Sequence, residues 1–349
     1  MSDDILIIPI DSQHEDPCLV MVFELYACSV YQLLRRGEYS DGLPFDTILK
    51  IIHQTAQGIK ALHDMNIVHT DLKPENILIK GKERKISLII DEINKLNISE
   101  MYIQICSIEK QKIGNSSNKN KIKQSKIDTN LLIKNKVIEI MDNIINIVNK
   151  QLQNSNNSNN SDDSDNSNDS DIKNIIDFDI NNIQVVLADF GTIFNKNDID
   201  QTDVIQTRYY RAPEVILQCG TNEKCDLWSL GCLIYEILTG DILFDPDSDK
   251  DYSNDFHHIY WFYQICGDIP NWMICKSLKK NEFFNKHNKF IIKKPDLWSI
   301  NDVINDHLNI NKYNTSEINK LDKILNIINN LLKIDPNKRL SLNNLIVCC

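Results

Sequence analysis

A polar loop of eight residues, His69–Asn76, lies between two apolar patterns of different period, and this arrangement strongly constrains the fold. Before the loop, apolar residues recur every three or four positions, which predicts a buried helix over Pro44–Asp64. After the loop, the run Ile77–Ile79 predicts a short strand. The loop therefore connects a buried helix to a strand, where a rigid scaffold can hold polar side chains in place.

Three side chains of this loop suit one specific chemistry. Phosphoryl transfer needs a carboxylate to accept a hydroxyl proton, a cation for the γ-phosphate and an amide oxygen for Mg²⁺. Asp71, Lys73 and Asn76 supply these groups in that order. A second carboxylate suited to the metal follows in Asp189-Phe190-Gly191. A polar loop with one Asp and one Lys also arises by chance, so the prediction depends on the later motifs that accompany it.

Charge and cysteine usage exclude several classes of protein. The 349 residues carry 38 Lys and Arg against 49 Asp and Glu, and this net charge of −11 argues against direct nucleic-acid binding and suits a basic protein partner. The ten cysteines form no CxxC pair, so we expect reduced thiols in an intracellular protein, cytoplasmic or nuclear. The sequence shows no charged-then-apolar leader and no apolar run of roughly 18–20 residues, so no membrane segment is predicted.

The remaining chain reads as a few short strands followed mostly by helices. Strands are expected over Ile5–Ile10, Cys18–Phe23 and Gln184–Leu187. Apolar spacing elsewhere predicts helices over Tyr31–Arg35, Leu227–Leu238, Ile259–Cys266, Ile318–Leu332 and Leu342–Val347.

A long segment of different composition interrupts these patterns. It contains two predicted helices, around Ile86–Ile105 and Asn130–Leu152. The tract Asn154–Asp171 that follows is almost wholly Asn, Ser and Asp, with too few apolar residues to offset chain entropy, so disorder is expected there. Ser161 and Ser164 precede acidic residues and are candidates for phosphorylation, but a solvated spacer is the preferred interpretation.

Five motifs in the same order resemble those of the eukaryotic protein kinase catalytic domain, chiefly its larger C-terminal lobe. Two are the catalytic-loop pattern His69–Asn76 and the metal-binding Asp189. Two more are Ala212-Pro213-Glu214 and its expected buried ion-pair partner, Arg339. The fifth, Asp226–Gly231, is similar to the helix whose Asp accepts backbone hydrogen bonds from the catalytic loop.

The resemblance implies an α+β, protein-kinase-like fold. It would consist mainly of the helical C-lobe, with two residual N-lobe strands and a long, partly disordered insertion. The implied domains are residues 1–25 for the residual strands and hinge, 26–80 for the first part of the C-lobe, 81–182 for the insertion, disordered around 154–171, and 183–349 for the remainder.

The resemblance also implies a function, the transfer of the ATP γ-phosphate to a Ser or Thr hydroxyl of a protein, with Mg²⁺ as cofactor. Asp71 would accept the hydroxyl proton, and Lys73 would steady the transferred phosphoryl group. Asn76 and Asp189 would hold Mg²⁺ across the phosphates. Thr207 lies where kinases specific for Ser/Thr place a threonine that bonds the catalytic Asp and Lys.

The segment Met21–Tyr26 resembles the hinge that binds adenine. Phe23 would lie at the back of the adenine pocket, and backbone groups of Glu24 and Tyr26 would face the base. The alternative interpretation is an edge strand with a hydrophobic face. The position of the segment relative to the catalytic loop favours the hinge.

Several details are similar to the SR-protein kinases and the related CDC-like kinases of the CMGC group. Thr70 stands where most regulated kinases have an Arg that clamps an activation-segment phosphate, so such phosphorylation is not expected to be needed. The insertion falls where SR-protein kinases carry their spacer, and Arg211 matches an arginine that shapes the substrate-site loop. Three segments resemble the insert of those kinases after the long buried helix: Gly240–Ser248, Asp251–Asp255 and Glu282–Phe284.

The expected substrates are basic proteins, with Arg-rich segments among them. SR-protein kinases hold such substrates in an acidic groove, and Asp241 matches one of its carboxylates. Two other acidic positions of that groove are His257 and Gln264 here. By the resemblance, phosphorylation would favour a Ser beside an Arg.

Two hypotheses about activity remain, because the small kinase lobe falls outside this sequence. Its glycine-rich loop, strand Lys and helix Glu would all precede residue 5. The first hypothesis is a Ser/Thr kinase whose N-lobe is encoded upstream or separately. The alternative is a catalytically inactive lobe that binds proteins through its peptide groove. A thermal shift that depends on ATP would distinguish the two.

Overall fold

The computed structural model describes residues 5–6, 20–21, 23–35, 39–97, 100–101, 103, 107, 133–151, 176–177, 179–200, 202–248, 250–293, 295–308 and 310–348. The chain divides into two compact units, residues 1–81 with 178–349, and residues 82–177. The predicted disorder around 154–171, with Ser161 and Ser164, lies outside the described residues, and the predicted domain boundaries stay a prediction.

The first unit contains the short strands, which pair in antiparallel fashion. They are β1 (Ile5–Leu6), β2 (Val20–Met21), β3 (Cys28–Ser29), β4 (Ile67–Val68), β5 (Ile77–Ile79), β6 (Val185–Leu187) and β7 (Phe194–Asn195). The central β5 pairs with β3 on one side and β6 on the other, whereas β4 pairs with β7 and β1 with β2. These pairings bring both ends of the loop His69–Asn76 against the segment that contains Asp189.

The helices of the first unit contain many more of its residues than the strands do. They are α1 (Val30–Leu34), α2 (Phe45–Asp64), α3 (Pro213–Leu217), α4 (Cys225–Thr239), α5 (Asn254–Cys266), α6 (Asn271–Lys276), α7 (Lys280–Phe283), α8 (Ile300–His307), α9 (Thr315–Leu331) and α10 (Leu342–Cys348).

Helix α4 is the centre of the core, because all of its residues are buried. It packs against α2 and α9, and α10 packs on α2. The ring of Trp228 lies 5.8 Å from that of Phe244 and 4.9 Å from that of Phe262. The helix ends at Gly240, whose φ is +79° and where a Cβ would lie 1.8 Å from the Ser40 carbonyl oxygen, so only glycine fits.

The second unit is described only in part. Its strands Lys82–Glu83 and Ile176–Asp177 pair in antiparallel fashion, and helix Arg84–Asn94 follows the first of them. Residues 133–151 are also helical.

The predicted helix around Ile86–Ile105 is wrong at its C-terminal end, since the helix stops at Asn94. Asn97 explains the break: its side chain accepts the Glu100 N–H at 3.1 Å and donates to the Glu100 carboxylate at 2.9 Å. This reciprocal pair is the cap of a new helical turn, so the apolar periodicity continues across two separate helical segments.

The helices predicted in the first unit are observed within a few residues, but four short ones were missed, namely α3, α6, α7 and α8. Each is too short to produce a clear helical period in the sequence. The predicted strands Ile5–Ile10 and Cys18–Phe23 are paired at Ile5–Leu6 and Val20–Met21, and most of their other residues lie outside the described part. Within the described residues, no helix is both long and apolar enough to cross a membrane.

Candidate active site

A buried carboxylate at the start of α4 holds the loop His69–Asn76 in place through hydrogen bonds. Asp226 is fully buried and accepts the backbone N–H groups of His69 and Thr70, each at 2.9 Å. The Nε2 atom of His63, at the end of α2, lies 2.8 Å from the same carboxylate. Thr70 has a φ of +64°, an unfavourable conformation for a β-branched residue, which these hydrogen bonds offset.

Four of the predicted site residues form one hydrogen-bonded cluster. The Lys73 amino group donates to Asp71 Oδ2 at 2.7 Å, and the Thr207 hydroxyl donates to Asp71 Oδ1 at 2.6 Å. Lys73 also donates to the Thr207 hydroxyl oxygen at 3.1 Å. The Asn76 amide donates to the Asp71 carbonyl at 2.9 Å and to Oδ2 at 3.2 Å. Both carboxylate oxygens of Asp71 are therefore fixed in position.

The electrostatics of the cluster keep Asp71 ionised. Burial by itself would raise the pKa of Asp71, but the hydrogen bonds from Lys73 and Thr207 and the charge of Lys73 outweigh it, so the pKa is lowered. The carboxylate can accept a hydrogen bond from a hydroxyl placed beside it at neutral pH.

The oxygens of Asn76 and Asp189 suit a hard cation. The Asn76 amide nitrogen is held by Asp71, and among the described residues no donor binds its oxygen. The one described donor to the Asp189 carboxylate is the Gly191 N–H, at 3.4 Å, and the preceding Ala188 N–H donates to the Asn76 carbonyl at 2.9 Å. The described residues contain no group of three or more His, Cys, Asp or Glu that could enclose a metal. This sparse oxygen set fits Mg²⁺, which keeps water and phosphate ligands, better than a fully protein-bound ion.

Thr70 also ties the loop to the segment that follows Asp189. Its hydroxyl donates to the Thr192 carbonyl at 2.5 Å, and His69 Nε2 lies 3.1 Å from the Ala188 carbonyl. The threonine therefore binds the backbone of this segment directly, with no phosphate between them.

The segment from Ile205 to Arg211, which contains Thr207, is shaped by the side chains of two of its own residues. The Arg211 guanidinium donates to the carbonyls of Ile205 at 3.0 Å and Gln206 at 2.8 Å. The buried Gln206 side chain, which sequence reasoning missed, donates to the Cys225 carbonyl at 2.9 Å and to the Ser229 hydroxyl at 2.7 Å. No sequence pattern marks a lone Gln as a bridge of this kind. A cleft of about 580 Å³ lies between this segment and Asp71.

The remaining predicted residues lie outside the cluster. Asp241 follows the C-terminal end of α4, about 20 Å along that helix from Asp226 by the rise of 1.5 Å per residue. Its carboxylate is mostly exposed and lies 3.6 Å from His307 Nδ1. Phe23 is 75% exposed, and the Tyr26 hydroxyl lies 3.4 Å from the Glu24 carboxylate. Their roles in substrate and adenine binding stay predictions.

A buried carboxyl on α4 binds Tyr210, in the segment that follows Thr207, and its pKa lies near neutrality. Glu236 is 1% exposed and accepts the Tyr210 hydroxyl at 2.5 Å, while Arg35 approaches to 3.9 Å. Burial raises its pKa to about 7, against the opposing effect of the Tyr210 hydrogen bond and with a smaller contribution from the charge of Glu75.

The stability of the first unit should therefore depend on the ionisation of Glu236. Because the pKa is raised on folding, the protonated carboxyl stabilises the fold at low pH, and this contribution is lost as the pH rises from about 4.5 to about 7. A shift of this size corresponds to about 3 kcal/mol. The Glu236→Gln side chain cannot titrate, so the variant should not lose this contribution. As the pH rises from about 4.5 to about 7, its free energy of unfolding minus that of the wild type should increase by about that amount. Urea titrations at several pH values measure the difference, and a difference independent of pH would contradict the assignment.

Fold and site together define the C-terminal lobe of a protein kinase. A family model for the protein kinase domain matches residues 3–91 and 169–347, which is most of the chain. The chain belongs to the protein kinase family. The predicted fold class and family are therefore confirmed.

Three relatives place the chain among serine/threonine kinases similar to the SR-protein kinases. L205 of Acanthamoeba polyphaga mimivirus, named as a candidate serine/threonine-protein kinase, is 30% identical over 389 residues, which covers 93% of this chain and 71% of that protein. Serine/threonine-protein kinase SRPK of Physarum polycephalum is 26% identical, with coverage of 92% and 64%. Serine/threonine-protein kinase SKY1 of Saccharomyces cerevisiae is 32% identical, with coverage of 50% and 24%. The predicted enzyme class is confirmed by these relatives, and the chain spans only part of their length.

Proposed function

We propose that this chain is the catalytic lobe of a serine/threonine protein kinase similar to the SR-protein kinases, which transfers the γ-phosphate of ATP to a Ser or Thr hydroxyl of a protein. The observation that carries the proposal is the cluster of Asp71, Lys73 and Thr207, in which an ionised carboxylate and a lysine lie 2.7 Å apart at the edge of a cleft. Protein kinases generally use ATP with Mg²⁺ and act on protein substrates.

Each residue of the cluster has a distinct role in the proposed reaction. Asp71 accepts the hydrogen bond of the substrate hydroxyl and then its proton, while Thr207 keeps the carboxylate in one orientation. Lys73 places a positive charge beside the transferred phosphoryl group. The proposed roles of Asn76 and Asp189 are to hold Mg²⁺, which when bound neutralises phosphate charge. Support for these two roles is that their side-chain oxygens have few protein donors.

The remaining proposals concern nucleotide, substrate and organisation. We propose that Phe23, Glu24 and Tyr26 contact the adenine, and that the domains follow the boundaries 25, 80 and 182. Basic substrates with a Ser beside an Arg are proposed from the relatives, with Arg211 shaping the substrate loop and Asp241 as a docking carboxylate. Because His257 and Gln264 replace other acidic positions of the groove, docking of long Arg/Ser repeats should be weaker than in the relatives.

The direct test is nucleotide binding and phosphoryl transfer by the purified chain. Mg²⁺ with ATP should raise the melting temperature more than either alone, and Asp189→Asn should remove the part that needs Mg²⁺. Incorporation of labelled phosphate should be faster for a Ser peptide with neighbouring Arg than for an acidic one. If neither a nucleotide-dependent shift nor transfer occurs, alone or with a small lobe added, the chain is a protein-binding module instead.

A further inference from the structure

One segment of the first unit has a net charge opposite to that of the whole chain. Residues 271–293 contain six lysines and a single acidic residue, Glu282, for a net charge of +5, although the whole chain carries −11. The surfaces of soluble proteins usually mix positive and negative side chains, so a cluster of one sign of charge requires an explanation.

Five of these lysines, here called the lysine surface, have no acidic partner among the described residues. The sixth, Lys279, is paired with Asp255 at 2.9 Å. Lys276 has its amino group 5.6 Å from the ring of Trp272. No carboxylate of the described residues lies within 4.0 Å of the amino groups of the lysine surface: Lys276, Lys280, Lys286, Lys289 and Lys293.

The turn that carries Lys286 and Lys289 of the lysine surface is anchored by contacts of the residues that flank it. Phe284 and Phe290 form a β-bridge, and the ring of Phe290 stacks on that of Phe256 at 4.9 Å. The Ile291 N–H donates to the Phe283 carbonyl at 3.0 Å. Between these contacts, the turn with Lys286 and Lys289 has little freedom to reorganise. Binding of a partner would therefore cost little conformational entropy in this turn.

A chain of ion pairs connects this region to the segment next to the catalytic cluster. Asp255, at the start of α5, accepts hydrogen bonds from both Arg208 at 2.7 Å and Lys279 at 2.9 Å. Arg208 directly follows Thr207, whose hydroxyl binds Asp71. A partner on the lysine surface would therefore lie beside the proposed peptide site.

The composition of the surface favours one kind of anionic partner. Leu278 and Ile291, from the same stretch, are 56% and 48% exposed, which suits a peptide with both acidic and apolar side chains. Nucleic acid fits less well, because the whole chain is negatively charged. Trp272 is also a poor platform for bases, since its indole N–H binds Asp335 at 3.3 Å and Lys276 covers its face.

We propose that the lysine surface is a docking site for an acidic protein segment that carries apolar residues. This interaction goes beyond phosphoryl transfer and does not depend on it, so binding can be measured without nucleotide.

The test uses a fluorescently labelled, glutamate-rich peptide with two leucines, titrated with the chain and followed by anisotropy. Binding should weaken as salt rises, since charge pairs contribute to it. Lys286→Glu with Lys289→Glu should reduce the affinity at least tenfold. The matched control, Lys312→Glu with Lys323→Glu, makes the same change in net charge outside the surface and should alter the affinity less than twofold. Circular dichroism verifies that both variants remain folded.

Four outcomes would overturn the proposal. The first is no binding of the peptide, and the second is an equal loss in both double variants, which would reflect net charge alone. The third is equal affinity for a peptide without the leucines, since the apolar contacts would then contribute nothing. The fourth is tighter binding of polyuridine RNA or phosphatidylserine vesicles through the same lysines.

Discussion

Asp71→Asn should reduce the turnover number for phosphorylation by about 10²–10⁴ and leave the affinity for nucleotide nearly unchanged. Asparagine has the same shape as aspartate, but its single amide oxygen can accept the hydrogen bond of only one of Lys73 and Thr207, since these bind different carboxylate oxygens. It cannot take the proton of the substrate hydroxyl, and it removes the charge that orients that hydroxyl. The loss should therefore appear in the turnover number. It is measured by steady-state phosphorylation with the chain alone or with an added small lobe, whichever is active.

A matched control separates this effect from a general change in charge. Asp198→Asn removes the same charge from an exposed residue of the segment after Asp189, and its turnover should stay within about twofold of the wild type. If Asp71→Asn instead weakened nucleotide binding and left turnover intact, Asp71 would be a nucleotide ligand and not the proton acceptor.

Arg339→Met should lower the free energy of unfolding by about 3–5 kcal/mol. The Arg339 guanidinium binds both oxygens of Glu214 at 2.6 Å, and neither side chain is exposed to solvent. Removal of the arginine leaves the Glu214 carboxylate buried without its counter-charge, which costs much more than loss of a surface ion pair. Urea unfolding followed by circular dichroism measures the change.

The double variant Glu214→Leu with Arg339→Met tests the physical reason. Without the buried carboxylate, at least half of the lost stability should return, although the carbonyls of Lys224 and Lys333 still lose their donor. Lys60→Met, which removes an exposed pair with Asp64, should cost less than about 1 kcal/mol. A double variant as unstable as the single one would show that the carbonyl contacts, and not the buried charge, dominate.

Much of the fold could be predicted from local patterns. Helix α2 and the strand β5 follow directly from the apolar spacing around the loop, because burial of one face selects residues at the period of the element. The short helices α6 and α7 could not be predicted, since one or two turns leave no clear period. The break at Asn97 also escaped prediction, because a cap interrupts a helix without interrupting its apolar spacing.

Some residues of the site could likewise be predicted from sequence motifs, whereas others depend on tertiary packing. The residue types at Asp71, Lys73 and Asn76 indicated phosphoryl transfer, and the resemblance to protein kinases suggested their partners Thr207 and Asp226. Gln206 and the pair of Tyr210 with Glu236 had no signal in the sequence. Buried polar groups of this kind need partners that are close only in the folded chain.

The sequence by itself determined the residue types of the candidate site, the order of the motifs and the periods of the long helices, because each of these is a property of neighbouring residues. Only the tertiary structure decided that the buried Gln206 side chain binds the Cys225 carbonyl and the Ser229 hydroxyl. It also decided that Thr70 binds the Thr192 carbonyl and that the lysines around the turn at 286–289 have no acidic partner within the part of the chain that the structure describes. Such contacts depend on how elements pack, and a buried polar atom takes whichever partner the packed core brings within reach.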